Sequence, residues 1–384
     1  MTSEYSKSGV DPHKRGIETF QKYITNIIPG AFCVVIPDPD MPGYGMIIHN
    51  DGDGSKPITS CLMYKEFGDS ECFKHISQDV IAANLDDTDC VASKPIGFVD
   101  YVAVNPFHIN KKEVLESLSQ GFGDMFSHLR DLDIDIKFAG GETADLPDQL
   151  RTLDVNGTIV SRVKLDDAIT GYDIGPKNYI VGARSGGRTS YEKEENSGIM
   201  NNGSALARHS LIDKIYEKKY PEIRDPEGSP YTGRFKLDDH LDEVDMTLFK
   251  ALTSPSRIFS PVTKKILEKH KDGVTGIVHI TGEGHTKAMK LGKNIHYIEH
   301  MPFEPDSIFK LIQKESREPW RNMFEELNVG TGMWYIAKDM NTADDIISIV
   351  ESFGIGAKVI GNTEKSDGSN KMTIHSEYGK FNYV

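Results

Sequence analysis

Asp133-Ile134-Asp135-Ile136-Lys137-Phe138-Ala139-Gly140-Gly141-Glu142-Thr143-Ala144-Asp145 is the stretch on which the reading of this chain turns. Its alternating isoleucines predict a strand, and the paired glycines predict a turn at the strand's end with Glu142 at the tip. Immediately upstream, residues 111–132 (KKEVLESLSQGFGDMFSHLRDL) repeat apolar side chains at three- and four-residue steps, the period of an amphipathic helix. Before that helix lies a predicted strand, 96–104 (IGFVDYVAV), and before the strand a second periodic segment, 73–93. A further strand is expected at 153–163 (LDVNGTIVSRV). Strands and helices in this order describe an α/β (α+β) unit, mixed sheets flanked by helices, ending near residue 167.

The same alternation resumes at 179–185 (YIVGARS) and runs through helices at 261–270, 306–316 and 342–354 and strands at 275–281, 331–338 and 357–363. We therefore expect a mobile N-terminal arm over 1–29, a first domain over 30–168 and a second over 169–384. Two stretches lose apolar period to glycine, proline and charge, at about 188–201 and 218–247, and read as loop insertions in the second domain.

The 384 residues carry 44 basic and 58 acidic side chains, a formal net charge of −14. That balance, without a basic run, excludes a nucleic-acid partner. A small anionic substrate then needs a local electropositive pocket or a bridging cation. No apolar stretch reaches the length of a spanning helix, so no membrane partner is expected, and the polar N-terminus has no secretory character. The four cysteines contain no CxxC pair, which fits reduced, buried thiols in a cytoplasmic protein.

Three clusters could carry chemistry. Asp51-Gly52-Asp53-Gly54-Ser55-Lys56 follows a predicted strand, where glycines can turn backbone amides toward an anion and Lys56 adds charge; a plain hairpin turn is the alternative. Asp79, Asp86 and Asp87 lie on the helix of 73–93, with Asp79 and Asp86 on one face, as a cation site or as a solvated acidic face. The third is Gly140–Asp145. Magnesium commonly binds nucleotide through one or two carboxylates and the phosphate oxygens, which Asp51, a helical aspartate and Glu142 could complete. In the second half, His279 in Val278-His279-Ile280-Thr281-Gly282-Glu283-Gly284 suits proton transfer or phosphate binding, or is a satisfied core histidine. Asn202, Arg257 and the glycines of 328–333 are weaker candidates.

Taken in order, these strings resemble those of the phosphoribosylformylglycinamidine cyclo-ligase family, also called aminoimidazole ribonucleotide synthetases. Tyr5–Asp11 resembles the family's Y-x-x-A-G-V-D, and Asp51–Lys56 its D-G-V-G-T-K. Asp79 and Asp86-Asp87 fall in I-D-L-V-A-M-C-V-N-D, with Pro95 in register. Gly140–Asp145 resembles G-G-E-T-A-E, Ser254–Phe259 resembles P-T-R-I-Y, His279–Gly284 resembles H-I-T-G-G-G, and Asn328–Met333 resembles N-x-G-x-G-M. The resemblance implies a two-domain fold, a homodimer, ATP with Mg2+, and closure of formylglycinamidine ribonucleotide to aminoimidazole ribonucleotide in purine biosynthesis. The alternatives are another ATP-using enzyme of the superfamily, such as thiamine-monophosphate kinase, or a non-catalytic nucleotide-binding paralogue.

On this resemblance Asp51, Asp79, Asp87 and Glu142 hold the metal. Lys7, Gly9, Asp51, Gly52, Gly54, Ser55, Lys56, Gly140, Gly141 and Thr143 hold the nucleotide, the arm closing over it. His279, Asn202 and Lys56 are the catalytic set. The chain departs from the family's strings at Met200, where a histidine stands, at Glu283, where a glycine stands, and in the insertions between 188 and 247.

Overall fold

The computed structural model describes residues 3–11 and 16–384; of the arm expected over 1–29, residues 1, 2 and 12–15 lie outside the described residues. The arm carries two short helices, α1 (Glu4–Lys7) and α2 (Glu18–Gln21). Five strands build the first sheet: β1 (Ile36–Pro37), β2 (Tyr44–Gly52), β3 (Lys94–Val104), β4 (Lys137–Asp145) and β5 (Leu153–Lys164), in the order β1-β2-β5-β3-β4. Alternate residues of β5 are buried, from Leu153 to Val163, so one face of this sheet meets a core and the other does not. The core side is covered by α3 (Pro57–Phe67), α4 (Lys74–Asp89) and α5 (Lys111–Asp131), whose Val80, Leu118 and Phe122 pack with Phe98, Val155 and Ile159. The pair β3–β4 is parallel, and α5 is the crossover that a parallel pair requires.

The expected glycine turn is not one. β4 runs straight through it, and Gly140, at φ +94°, forms an irregularity inside an edge strand where the register against β3 shifts. A Cβ on Gly141 would lie 1.9 Å from a carboxylate oxygen of Asp100, so the close approach that Gly141 permits is to β3.

In the second domain β6 (Tyr179–Arg184) is followed by a small hairpin, β7 (His240–Leu241) with β8 (Met246–Thr247), and then by β9 (Val274–His279), β10 (Ile295–Glu299), β11 (Thr331–Ala337), β12 (Ala357–Lys365), β13 (Lys371–Ser376) and β14 (Gly379–Tyr383). Outside the hairpin, the seven strands order β14-β13-β10-β12-β6-β11-β9. Every residue of β11 is buried, because this sheet is covered on both faces: Trp334 and Ile336 enter one core, Met333, Tyr335 and Ala337 another. The helices are α6 (Ser204–Leu211), α7 (Ile215–Lys219), α8 (Leu248–Thr253), α9 (Ser260–His270), α10 (Ser307–Ser316), α11 (Trp320–Glu326) and α12 (Met340–Ser352).

The two stretches expected to be loop insertions are packed against the second domain. Ile223, Tyr231, Leu237 and Leu241 are buried in the second domain's core, and at about 1.5–3 kcal/mol per fully buried large apolar side chain they hold the 218–247 segment down. In 188–201, Asn196, Ser197, Ile199 and Met200 are buried. Beside them Arg257, wholly inaccessible, spends its guanidinium on Glu192 and on the carbonyls of Arg184, Gly186 and Gly187, so it is a structural clasp for this loop. The cysteines are all buried and none forms a disulfide. Among the described residues no helix is long and apolar enough to cross a membrane.

Candidate active site

The connection from β2 to α3 carries the first cluster. It leads from strand to helix, so the hairpin alternative does not apply. Gly54 turns at φ +60°, and a Cβ on Gly52 would strike the Asn156 amide at 2.3 Å. Asp51, Gly52, Gly54 and Ser55 open onto a cavity of about 450 Å³ between the two domains. Lys56 does not. Its Nζ is wholly buried beneath the cavity, donating to Asp79 Oδ1 at 2.8 Å and to the Ser254 carbonyl at 2.5 Å. The expectation that Lys56 holds phosphate is therefore corrected: α3 draws it inward, where the buried carboxylate of Asp79 claims it.

The acidic row on α4 is equally far from a solvated face, since Asp79, Asp86, Asp87 and Asp89 are all buried. Each has a partner or a raised pKa. Asp86 accepts from the Phe259 amide at 2.9 and 3.0 Å, and burial pushes its carboxyl well up. Asp87 is a hub. His279 Nδ1 lies 2.7 Å from its Oδ1, while His49 Nε2 and Lys287 Nζ lie 3.4 and 3.5 Å from its Oδ2. Burial alone would raise its pKa, but Lys287 and the two histidines overcome this and hold it well below the ordinary value. An ionised Asp87 accepts the proton on His279 Nδ1. The ring's other nitrogen, Nε2, is then an acceptor, and it has no hydrogen-bond partner among the described residues. Burial lowers the pKa of His279, which favours this neutral form.

The second domain supplies the opposite wall. His279 ends β9, and Thr281, Gly282 and Glu283 follow it along the cavity. Glu283 takes the left-handed backbone, φ +73°, that a glycine adopts without strain, and its side chain turns back to pair with Lys290. The departure at Met200 is also conformational: the residue sits at φ +48° with its side chain buried in a core around Val181 and Phe259. Asn202 lines the cavity, and its Nδ2 has no partner among the described residues. The arm covers one end, where Tyr5, Val10 and Asp11 line the wall. Of the two arm residues expected to hold nucleotide, Lys7 is exposed and paired with Glu4, and Gly9 is exposed at φ +93°.

Gly140, Gly141, Glu142 and Thr143 stand apart from this cavity. The register places Gly52 opposite Asn156, Asn156 opposite Tyr101, and Tyr101 opposite Glu142. Three strand spacings of ~4.8 Å put Glu142 about 14 Å from Gly52, beyond what one ion with ligands near 2.1 Å can join. Asp79 is committed to Lys56. The four-residue shell of Asp51, Asp79, Asp87 and Glu142 is thus not assembled within one chain, and among the described residues no group of three or more His, Cys, Asp or Glu side chains is placed to hold a metal ion.

Sequence reasoning missed His49, Asp53, Lys287 and Glu326. His49 stands two residues before Asp51 on β2, where period-2 reading already points it to the same side. Asp53 is buried against Asp79, and burial with that neighbouring charge pushes its carboxyl well up. Lys287 comes from a turn of 3-10 helix and Glu326 from a helix end, neither of which leaves a periodic signal.

Residues 33–163 match the family model for the N-terminal domain of AIR synthase related proteins. The phosphoribosylformylglycinamidine cyclo-ligase of Methanocaldococcus jannaschii is 33% identical over 325 residues, covering 84% of this chain and 79% of that one. That of Thermoplasma acidophilum is 26% identical over 340 residues, covering 88% and 85%. Among solved structures, T. maritima PurL complexed with FGAR matches at a TM-score of 0.57 with 13% identity, over 100% of this chain and 51% of that one. Hydrogenase maturation protein HypE in complex with ATP matches at 0.55 with 14% identity, over 100% and 97%. Two packed domains around one cleft, with these likenesses, define an enzyme of the AIR synthase-like fold. Within it, the chain belongs to the phosphoribosylformylglycinamidine cyclo-ligase family.

Proposed function

We propose that the protein closes the imidazole ring of aminoimidazole ribonucleotide from formylglycinamidine ribonucleotide, using ATP. The formyl oxygen takes the γ-phosphoryl group and ADP leaves; the amidine nitrogen then attacks the same carbon, and the phosphate departs with that oxygen. The observation that carries this reading is the convergence on one interdomain cavity of Asp51, Gly52, Gly54, Ser55 and Asp87 from the first domain with His279, Asn202 and Lys287 from the second.

Each group has a role its chemistry fits. The turn amides around Gly54 and the ammonium of Lys287 suit phosphate oxygens. Asp51 and Asp87, two carboxylates facing the same space, suit a magnesium ion whose remaining sites go to phosphate and water, and that ion would offset the charge of the triphosphate. His279 Nε2 accepts a proton or a substrate N–H, and the unmet Nδ2 of Asn202 donates to a substrate oxygen. Tyr5 and Val10 exclude water from an activated intermediate that water would destroy. Adding formylglycinamidine ribonucleotide to protein, ATP and magnesium should release ADP stoichiometrically with ring closure. ADP release that requires thiamine monophosphate instead would transfer the protein to the kinases of this fold.

The homodimer belongs to the same proposal. The helix-free face of the first sheet leaves Ile48 58% exposed, and Ile96 and Val99 of the same sheet are 41% and 38% exposed, beside the unpaired edge strand β4. A second copy of this chain covers that face. Ile48→Lys should convert a sedimenting dimer to a monomer, and a variant that stays dimeric would move the interface elsewhere.

A further inference from the structure

We propose that Glu326 recognises the amidine of the substrate, its carboxylate receiving the N–H groups of that planar cation at the second domain's end of the cavity. The identity of the group rests on the function proposed above. Glu326 closes α11, and Met323, Phe324 and Leu327 anchor that helix end in the core. The side chain is only 5% exposed, yet it lines the cavity. Its Oε2 has no hydrogen-bond partner among the described residues. A buried acceptor without a donor is a standing cost, which a ligand's N–H removes.

The neighbouring carboxylates explain why this one is available. Glu283 is engaged by Lys290, and Asp87 by His279 and Lys287. The groups acting on the Glu326 carboxyl among the described residues are Ser3, Glu318 and Glu325, with no lysine or arginine in the set. Among the described residues, the two lysines of the cavity are thus spent on Asp87 and Glu283, and neither pairs with Glu326 on the arm's side. An amidinium presents two parallel N–H bonds in the fork that suits a carboxylate, as arginine does. A phosphate would be repelled there.

Burial pushes the Glu326 carboxyl up to about 7, with Glu318 and Glu325 adding to the rise and the Ser3 hydroxyl opposing it. The other groups around it are Tyr5 from the arm, whose pKa burial raises, and Asp11, Glu283 and Lys290 on the remaining walls. Since the cation pairs with the ionised form, affinity should fall as pH drops through 7.

The test is calorimetric titration of the whole protein with formylglycinamidine ribonucleotide, without ATP, from pH 6 to pH 8. Wild type should bind about tenfold more weakly at pH 6 than at pH 8, the ratio of ionised fractions for a group near 7. Glu326→Gln should bind 10- to 100-fold more weakly at pH 8 and lose the pH dependence, on the order of one charge-assisted hydrogen-bonded pair. Glu326→Asp should recover part of the affinity, which keeps the test decisive if the glutamine variant folds poorly. Glu325→Gln, outside the cavity lining, should keep wild-type affinity at pH 8, with the fall in affinity moved to lower pH because a neighbouring negative charge is gone. Binding by Glu326→Gln equal to wild type overturns the assignment, even where ATP-dependent turnover succeeds. Glu326-dependent binding without any ADP release would sink the ligase reading and leave this one standing.

Discussion

Asp87→Asn should lower the rate of substrate-dependent ADP release by roughly 10³-fold, on the scale of removing one fixed charge or the carboxylate that orients a histidine in other enzymes. The replacement is nearly isosteric, so α4 and the core against β2 should persist. What changes is the hub. The new amide can offer an N–H toward His279 Nδ1, which favours the tautomer carrying its proton on Nε2 and so removes the acceptor from the cavity. Lys287 and His49 lose the charge that holds them at 3.5 and 3.4 Å, and the cavity loses one of its two proposed metal-binding carboxylates. The check is steady-state ADP release alongside thermal unfolding of the same preparation. A rate within tenfold of wild type, in a protein that melts normally, would remove Asp87 from the centre of the site.

The fold was largely legible because its determinants are local and periodic. The helices at α4 and α5 and the strand β3 stand within a few residues of where apolar spacing predicts them, and β11 is the uninterrupted apolar run of a strand covered on both faces. Elsewhere tertiary partners decided. Gly140-Gly141 is what a turn uses, but equally what this strand needs, Gly140 for its positive φ and Gly141 to approach Asp100 of the neighbouring strand. The 218–247 segment has no period, yet four well-separated apolar side chains suffice to pin it. The acidic row on α4 looks solvated until the second domain lays Phe259, Ser256, His279 and Lys287 against it.

The site divides along the same line. Asp51, the glycines after it, Asp87, His279 and Asn202 were readable as chemistry-bearing residues, and the fold gathers them on one cavity. Lys56 and Glu142 were readable as residue types but not as positions: one lies beneath the floor, the other three strands away. Glu326 has no motif. Only a buried Oε2 with no donor among the described residues reveals it, and burial is a property of the assembled molecule.

The largest effect on stability is expected at Lys56. Lys56→Met should reduce the free energy of unfolding by about 3–5 kcal/mol, the usual consequence of removing one partner from a buried ion pair. Methionine fills a similar volume, so the loss is electrostatic. Asp79 keeps the Ser256 amide at 2.6 Å but loses the one cation paired with it among the described residues, where its Oδ2 and that of Asp53 already lack partners. Two neighbouring carboxyls would then share a dry site, and one must take up a proton, so the variant should be destabilised further as pH rises. The ammonium also reaches the Ser254 carbonyl, joining the start of α3 to the segment between α8 and α9, so the two domains should lose cooperativity in unfolding. Adding Asp79→Asn removes the orphaned charge and should restore more than half of the loss, because an uncompensated charge rather than a missing contact is the cause. Urea denaturation of the wild type, both single variants and the double variant at pH 6 and pH 8 measures the coupling directly: additive losses would show that Lys56 and Asp79 do not stabilise one another, and that the floor of the cavity is held by packing alone.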